Sequence, residues 1–304
     1  MAYGATAANF GGLDMYWFLL VVSIILAVCK SSLYNIYAEK ETPALNQIFH
    51  FNTISYGGAS LVALIGLLIN GEGISGMTVL CAFFYAIIVA GLQTISITAM
   101  GAGAMSTTAI CVMYGMIIPS VAGPIFWKES IGVLQIVGII IMIFSLWLIK
   151  GKTPDEGKGI SKKWMILAGV AFVLSGMAGV MEKIHQSTAA REERMSFVFV
   201  ACAFMFAFSL AARFITNKKK EAKTTKRIVL LAALSGLVIG SYSTVNLTLS
   251  GKLDSMIYYP IANGGAMLLT VFVSVIAFRE RFDKTRIVGT VLGLLGILLL
   301  SIPV

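Results

Sequence analysis

Apolar residues in this chain gather into ten runs of about 20, the length a helix needs to cross a bilayer, with short polar stretches between them. The predicted spans are 16–37, 47–69, 77–99, 104–127, 131–149, 164–184, 195–213, 227–249, 255–278 and 285–303. The second and ninth are the most polar, one holding His50 and Asn52, the other Tyr258, Tyr259, Pro260 and Asn263. Residues 1–14 are rich in glycine and alanine and are expected outside the membrane. They have no basic stretch, so the first span does not read as a signal peptide.

The runs repeat. Trp127–Gly138 (WKESIGVLQIVG) and Phe278–Gly289 (FRERFDKTRIVG) share a basic residue and a glutamate, Lys128-Glu129 and Arg279-Glu280. Nine residues after each glutamate an Ile-Val pair leads into a glycine, Gly138 or Gly289, which opens the last apolar run of its half. The offset is 151 in a chain of 304 residues, so one unit was duplicated. Ten spans in two copies give five each, and an odd number forces the second copy to cross in the opposite sense. The expected fold is an all-α polytopic membrane protein with ten transmembrane helices as two inverted five-helix repeats. Residues 1–150 form the first repeat, 151–163 a basic connecting loop and 164–304 the second.

Composition agrees with a bilayer. Hydrophobic residues make up 58% and charged residues 12%, against about a quarter charged in soluble domains. The net charge of +9 shows no basic stripe interleaved with aromatics and no nucleic-acid motif, so nucleic acid is excluded as a partner. Instead the charge orients the chain. Of the 23 lysines and arginines, 17 fall in the loops after spans one, three, five, seven and nine, and five in the others. This bias places the 150–163 and 213–227 loops in the cytoplasm and both termini outside. Cys29, Cys81, Cys111 and Cys202 lie inside apolar runs without ligand spacing, and with only two histidines no metal or other cofactor is expected.

Polar groups inside spans are the candidate chemistry, because a lysine or aspartate at mid-span costs about 2.5–3.5 kcal/mol on insertion scales. Lys30 either snorkels to the interface along its own stem or enters a cavity, and Tyr34 lies on its helix face with Asn35 next in sequence. Glu182, followed by Lys183, His185 and Gln186, either ends its helix at the interface or serves as a proton-coupling carboxylate. Gln93, Tyr114, Tyr242, Asn246, Tyr259 and Asn263 complete the candidate solute contacts, spread over both halves as a cavity at a repeat interface requires. The repeated Glu129 and Glu280 precede helix starts, where a carboxylate caps exposed backbone donors. Pro119 and Pro124 in the fourth span and Pro260 in the ninth predict paired kinks. Gly236/Gly240 and Gly289/Gly293 are small-xxx-small pairs suited to close helix contact.

The twice-repeated glutamate and glycine, carried by Pro119–Gly138 and Asn263–Gly296, resemble the drug/metabolite transporter superfamily, in its ten-helix branch of two EamA-type repeats. The resemblance extends from about Met15 to Val304. It implies an alternating-access carrier whose first four helices of each repeat surround a central cavity, with the fifth packed at the periphery. Four-helix relatives couple to protons through a first-helix glutamate, where this chain has Lys30. The expected function is a secondary transporter, in the exporting direction, for a small polar or amphipathic metabolite or drug in a bacterial inner membrane. Its expected partners are the small-molecule solute and the lipid bilayer, with protons as a candidate coupling ion, and it is expected to be a monomer. The alternatives are a membrane-embedded scaffold or receptor partner without transport and a lipid-modifying membrane enzyme. For the enzyme, Glu182 and His185 are the only adjacent acid–histidine set.

Overall fold

The computed structural model describes residues 5–41, 43–103, 105–128, 130–149, 161–216, 225–250, 255–279, 284–300 and 302. Those residues form ten helices and no strand. They are α1 Ala5–Glu41, α2 Leu45–Asn70, α3 Gly76–Met100, α4 Met105–Trp127, α5 Val133–Ile149, α6 Lys162–Gln186, α7 Arg194–Thr216, α8 Lys226–Ser250, α9 Ser255–Ala277 and α10 Lys284–Leu300. α1 begins at Ala5, so much of the N-terminal segment continues the first helix. Seven helices are long and apolar enough to cross a membrane. The apolar parts of α5, α9 and α10 are shorter. Outward-facing side chains such as Leu68, Ile69, Phe126, Val133 and Trp147 are well over half exposed, which only a lipid environment tolerates on this scale. The chain is an integral membrane protein.

Packing between the halves follows one rule. α2 packs on α7, α4 on α9 and α5 on α10; α1 packs on α8 as α6 does on α3; α2 packs on α8 as α7 does on α3; α1 packs on α9 as α6 does on α4. Exchanging α1–α5 with α6–α10 leaves this set unchanged, as a two-fold relation between the halves requires. The duplicated motif shows the same relation at single residues. Among the described residues, Lys128 (φ 55°) and Arg279 (φ 54°) are the non-glycine residues with positive φ, and they are 151 apart. At the end of α4 the Lys128 N–H bonds the Gly123 carbonyl, a left-handed helix stop. The basic residue of each copy therefore ends a helix. Glu129 and Glu280 lie outside the described residues.

The motif glycines pack α5 against α10. A Cβ on Gly138 would lie 2.6 Å from the Gly296 carbonyl oxygen, while the Gly289 carbonyl accepts the Ser145 hydroxyl at 2.8 Å. These contacts are equivalent under the 151-residue offset. Gly236 and Gly240 work similarly between α8 and α2, with Cβ positions 2.5 Å from the Ser55 carbonyl oxygen and 2.7 Å from Val62 Cβ.

The prolines act unequally. α4 tightens into a 3-10 turn over Tyr114–Met116, because Pro119 offers no N–H to Gly115 and its ring crowds that carbonyl. α9 is continuous through Pro260, which lies close to the helix start. Of the two helices, α4 is the one whose α-helical ladder is interrupted.

Two carboxylates outside the spans tie the halves together. Glu72, after α2, accepts the N–H groups of Met195 (2.7 Å) and Ser196 (3.1 Å) at the start of α7. Glu193, before α7, accepts the Thr78 hydroxyl (2.5 Å) and the Ser75 N–H (2.8 Å) at the start of α3. The Thr78 and Ser75 bonds hold the Glu193 carboxyl below its ordinary pKa. A depressed pKa means that this group's stabilisation is complete above the unfolded-state value and is lost as pH falls through the folded one. Apparent melting temperature scanned down through the acid range is expected to fall more steeply in the parent protein than in Glu193→Gln; parallel profiles would show that the bond contributes nothing.

Candidate functional site

A cavity of about 250 Å³ opens between the halves, near the small end of the roughly 300–1,000 Å³ typical of ligand pockets. Its described lining comes from α1, α3 and α4 of the first half and α6, α7, α8 and α9 of the second. α2 contributes no described lining residue, against the expectation that the first four helices of each repeat do so. It stands behind α3 instead, where Asn52 Oδ1 accepts Gln93 Nε2 (2.9 Å) and Asn52 Nδ2 donates to Thr94 Oγ1 (3.0 Å). The outer helix thereby fixes the Gln93 amide at the cavity wall.

Lys30 from α1 and Glu182 from α6 both face this space. They are 152 residues apart, within one residue of the repeat offset, on equivalent helices. Lys30 Nζ lies 4.4 Å from the ring centroid of Tyr242 on α8, a cation–π contact that contributes about 0.5–2 kcal/mol depending on desolvation. Glu182 Oε1 accepts the Tyr85 hydroxyl of α3 at 2.9 Å. The helix pairs α1–α8 and α6–α3 are themselves equivalent. The two halves thus place opposite charges at matching positions, each held by a tyrosine of the other half. Of the two outcomes open to Lys30, the structure has the one in which it lines the cavity, and the helix of Glu182 runs on to Gln186.

Tyr34, Gln93, Tyr242, Asn246 and Asn263 also line the cavity. Asn246 Oδ1 accepts the buried Tyr258 hydroxyl, so its side chain is oriented by its neighbour helix. Two expected contacts are corrected. Asn35 is buried but stands outside the described lining, because one residue of helix turns it about 100° away from Tyr34. Tyr114 is fully buried between α4, α5 and α10, its hydroxyl 2.7 Å from Ser145 Oγ, so its polar end is spent on packing. The backbone of Tyr259 is helical, but its side chain lies outside what the structure describes. His185 turns away from Glu182: it stacks on Phe197 with ring centroids 4.4 Å apart, and its Nε2 lies 3.2 Å from Thr78 Oγ1. The adjacent acid–histidine set therefore does not meet as a pair.

Tyr85 is a candidate site residue that sequence reasoning passed over. Its signal was present, because Tyr85, Val89, Leu92, Gln93, Ser96 and Met100 recur at spacings of three and four and mark one face of α3. Met113, Met116 and Met205 supply a polarizable apolar wall.

No curated protein matches the chain. One solved protein structure superposes with a TM-score of 0.63 at 12% identity, 91% of this chain against 97% of that one, which is a likeness of fold. Residues 162–302 match the family model of the EamA-like transporter family. The match covers α6 to α10, so it is this second half of the chain that is similar to EamA-like transporters.

Proposed function

We propose that the chain is an alternating-access carrier for a small zwitterionic solute, built from two five-helix repeats of opposite orientation. The observation that carries this reading is the ammonium and carboxylate facing one cavity from equivalent helices. With both groups ionised the cavity is neutral overall. A cargo of net charge would leave one buried charge uncompensated, at a cost of several kcal/mol, whereas a cargo bearing both signs replaces each group's lost hydration at once. The methionine and aliphatic lining accommodates an apolar remainder. The Lys30–Tyr242 and Glu182–Tyr85 contacts give each charge a partner of its own from the opposite half.

The test is uptake and ligand-stabilisation with purified protein in proteoliposomes, using matched zwitterionic, cationic, anionic and neutral solutes of one carbon skeleton. A ligand that binds the folded state raises its apparent stability. The zwitterion is expected to shift the melting temperature and to be carried; equal responses to all four, or preference for a singly charged member, would remove the proposal.

A further inference from the structure

At the end of the bundle that carries the α2–α3 and α6–α7 connections, the two halves exchange carboxylates. Glu72 of the first half sits at the start of α7, and Glu193 of the second half sits at the start of α3. The Ser196 hydroxyl adds a bond to the Gly73 carbonyl at 2.6 Å, and Lys183 Nζ lies 5.0 Å from the Trp127 ring centroid at the same end. Both capped helices go on to line the cavity, α3 from Tyr85 and α7 from Phe197.

The clasp is also joined to the cavity by contiguous side chains. Thr78 gives its proton to Glu193, so at the 3.2 Å contact with Thr78 Oγ1 the His185 Nε2 acts as donor. His185 stacks on Phe197, whose ring is 5.1 Å from that of Tyr85, and Tyr85 bonds Glu182. Glu193 and Glu182 thus stand at the two ends of one column.

We propose that Glu72 and Glu193 form the gate of this end: the cavity opens here when both carboxylates leave the helix starts they cap. The proposal rests on the carrier reading above and adds the place where the halves part. Each bond crosses from one half to the other, so none survives a separation of α7 from the α2–α3 turn. Each carboxylate lies beyond the apolar spans, where water replaces the lost bonds. Contacts made this way break and re-form without leaving a bare charge in the membrane.

Cys202 is a native reporter, because it lines the cavity and is buried, while Cys29, Cys81 and Cys111 stand outside the described lining. In a Cys29→Ser/Cys81→Ala/Cys111→Ala background, a membrane-impermeant methanethiosulfonate is applied to each face of oriented vesicles. Glu72→Gln/Glu193→Gln is expected to speed Cys202 labelling from the clasp end at least tenfold. Glu192→Gln, which alters an exposed neighbour ion-paired with Arg191, is expected to leave it unchanged. Equal rates in the double variant and its parent would overturn the gate. Should the glutamine pair not fold, Glu72→Asp/Glu193→Asp, which draws each carboxylate back by one methylene, is held to the same two outcomes. Labelling needs no solute, so a chain that carries nothing in the panel still returns an answer on the gate.

Discussion

Glu182→Gln and Lys30→Gln are each expected to weaken binding of a zwitterionic solute by about 10- to 150-fold, the equivalent of one charge-assisted hydrogen bond of about 1.5–3 kcal/mol. Each single change also leaves the opposite charge unbalanced in the cavity, so apparent stability is expected to fall with it. Lys30→Gln/Glu182→Gln restores neutrality. Its stability is expected to return towards the parent while binding stays lost, which separates recognition from folding. Tyr85→Phe removes only the hydroxyl that steadies Glu182, and a loss of about 0.5–1.5 kcal/mol is expected there. Ligand-induced melting shifts across the four variants measure both quantities together. A Glu182→Gln protein that binds the zwitterion as tightly as its parent would sink the assignment.

The duplication was legible in the chain because Lys128-Glu129 and Arg279-Glu280 kept their spacing, and ten spans shared between two copies then gave five helices to each half. The two positive-φ basic residues are the structural form of that copy. What could not be read was which polar groups share a space. Lys30 had two outcomes available, and the choice was made by Tyr242 on a helix far along the sequence. Tyr114 looks the same in sequence as Tyr242, but Ser145 and Gly293 around it turn it into a packing group. Glu72 and Glu193 drew no notice as isolated carboxylates, because their partners, backbone N–H groups and the Thr78 hydroxyl, lie in the opposite half. Helix periodicity assigns a residue to a face of its own helix, whereas the partner across the bundle depends on tertiary packing.

Gly293→Ala is expected to be severely damaging, its built Cβ making the shortest contact among the glycines the structure describes in this way. Its Cβ would fall 1.4 Å from the Tyr114 hydroxyl and 2.8 Å from Ser145 Oγ. The phenol cannot turn aside cheaply, since its ring is fully buried against the α5–α10 pair. Relief requires breaking the Tyr114–Ser145 bond and spreading α10 from α4. Overpacking of this kind costs about 1–3 kcal/mol, and the broken hydrogen bond adds about 0.5–1.5 kcal/mol. Gly169 supplies the contrast, being a helical glycine with nothing within 4 Å of a built Cβ; Gly169→Ala is expected to be neutral or stabilising by about 0.5–1 kcal/mol. Tyr114→Phe removes the atom that meets the new methyl. Combined with Gly293→Ala it should recover part of the loss, giving a non-zero coupling in a double-mutant cycle. Thermal unfolding of the four proteins in one detergent measures that coupling, and strictly additive losses would mean that Gly293 is required for some reason other than the Tyr114 hydroxyl.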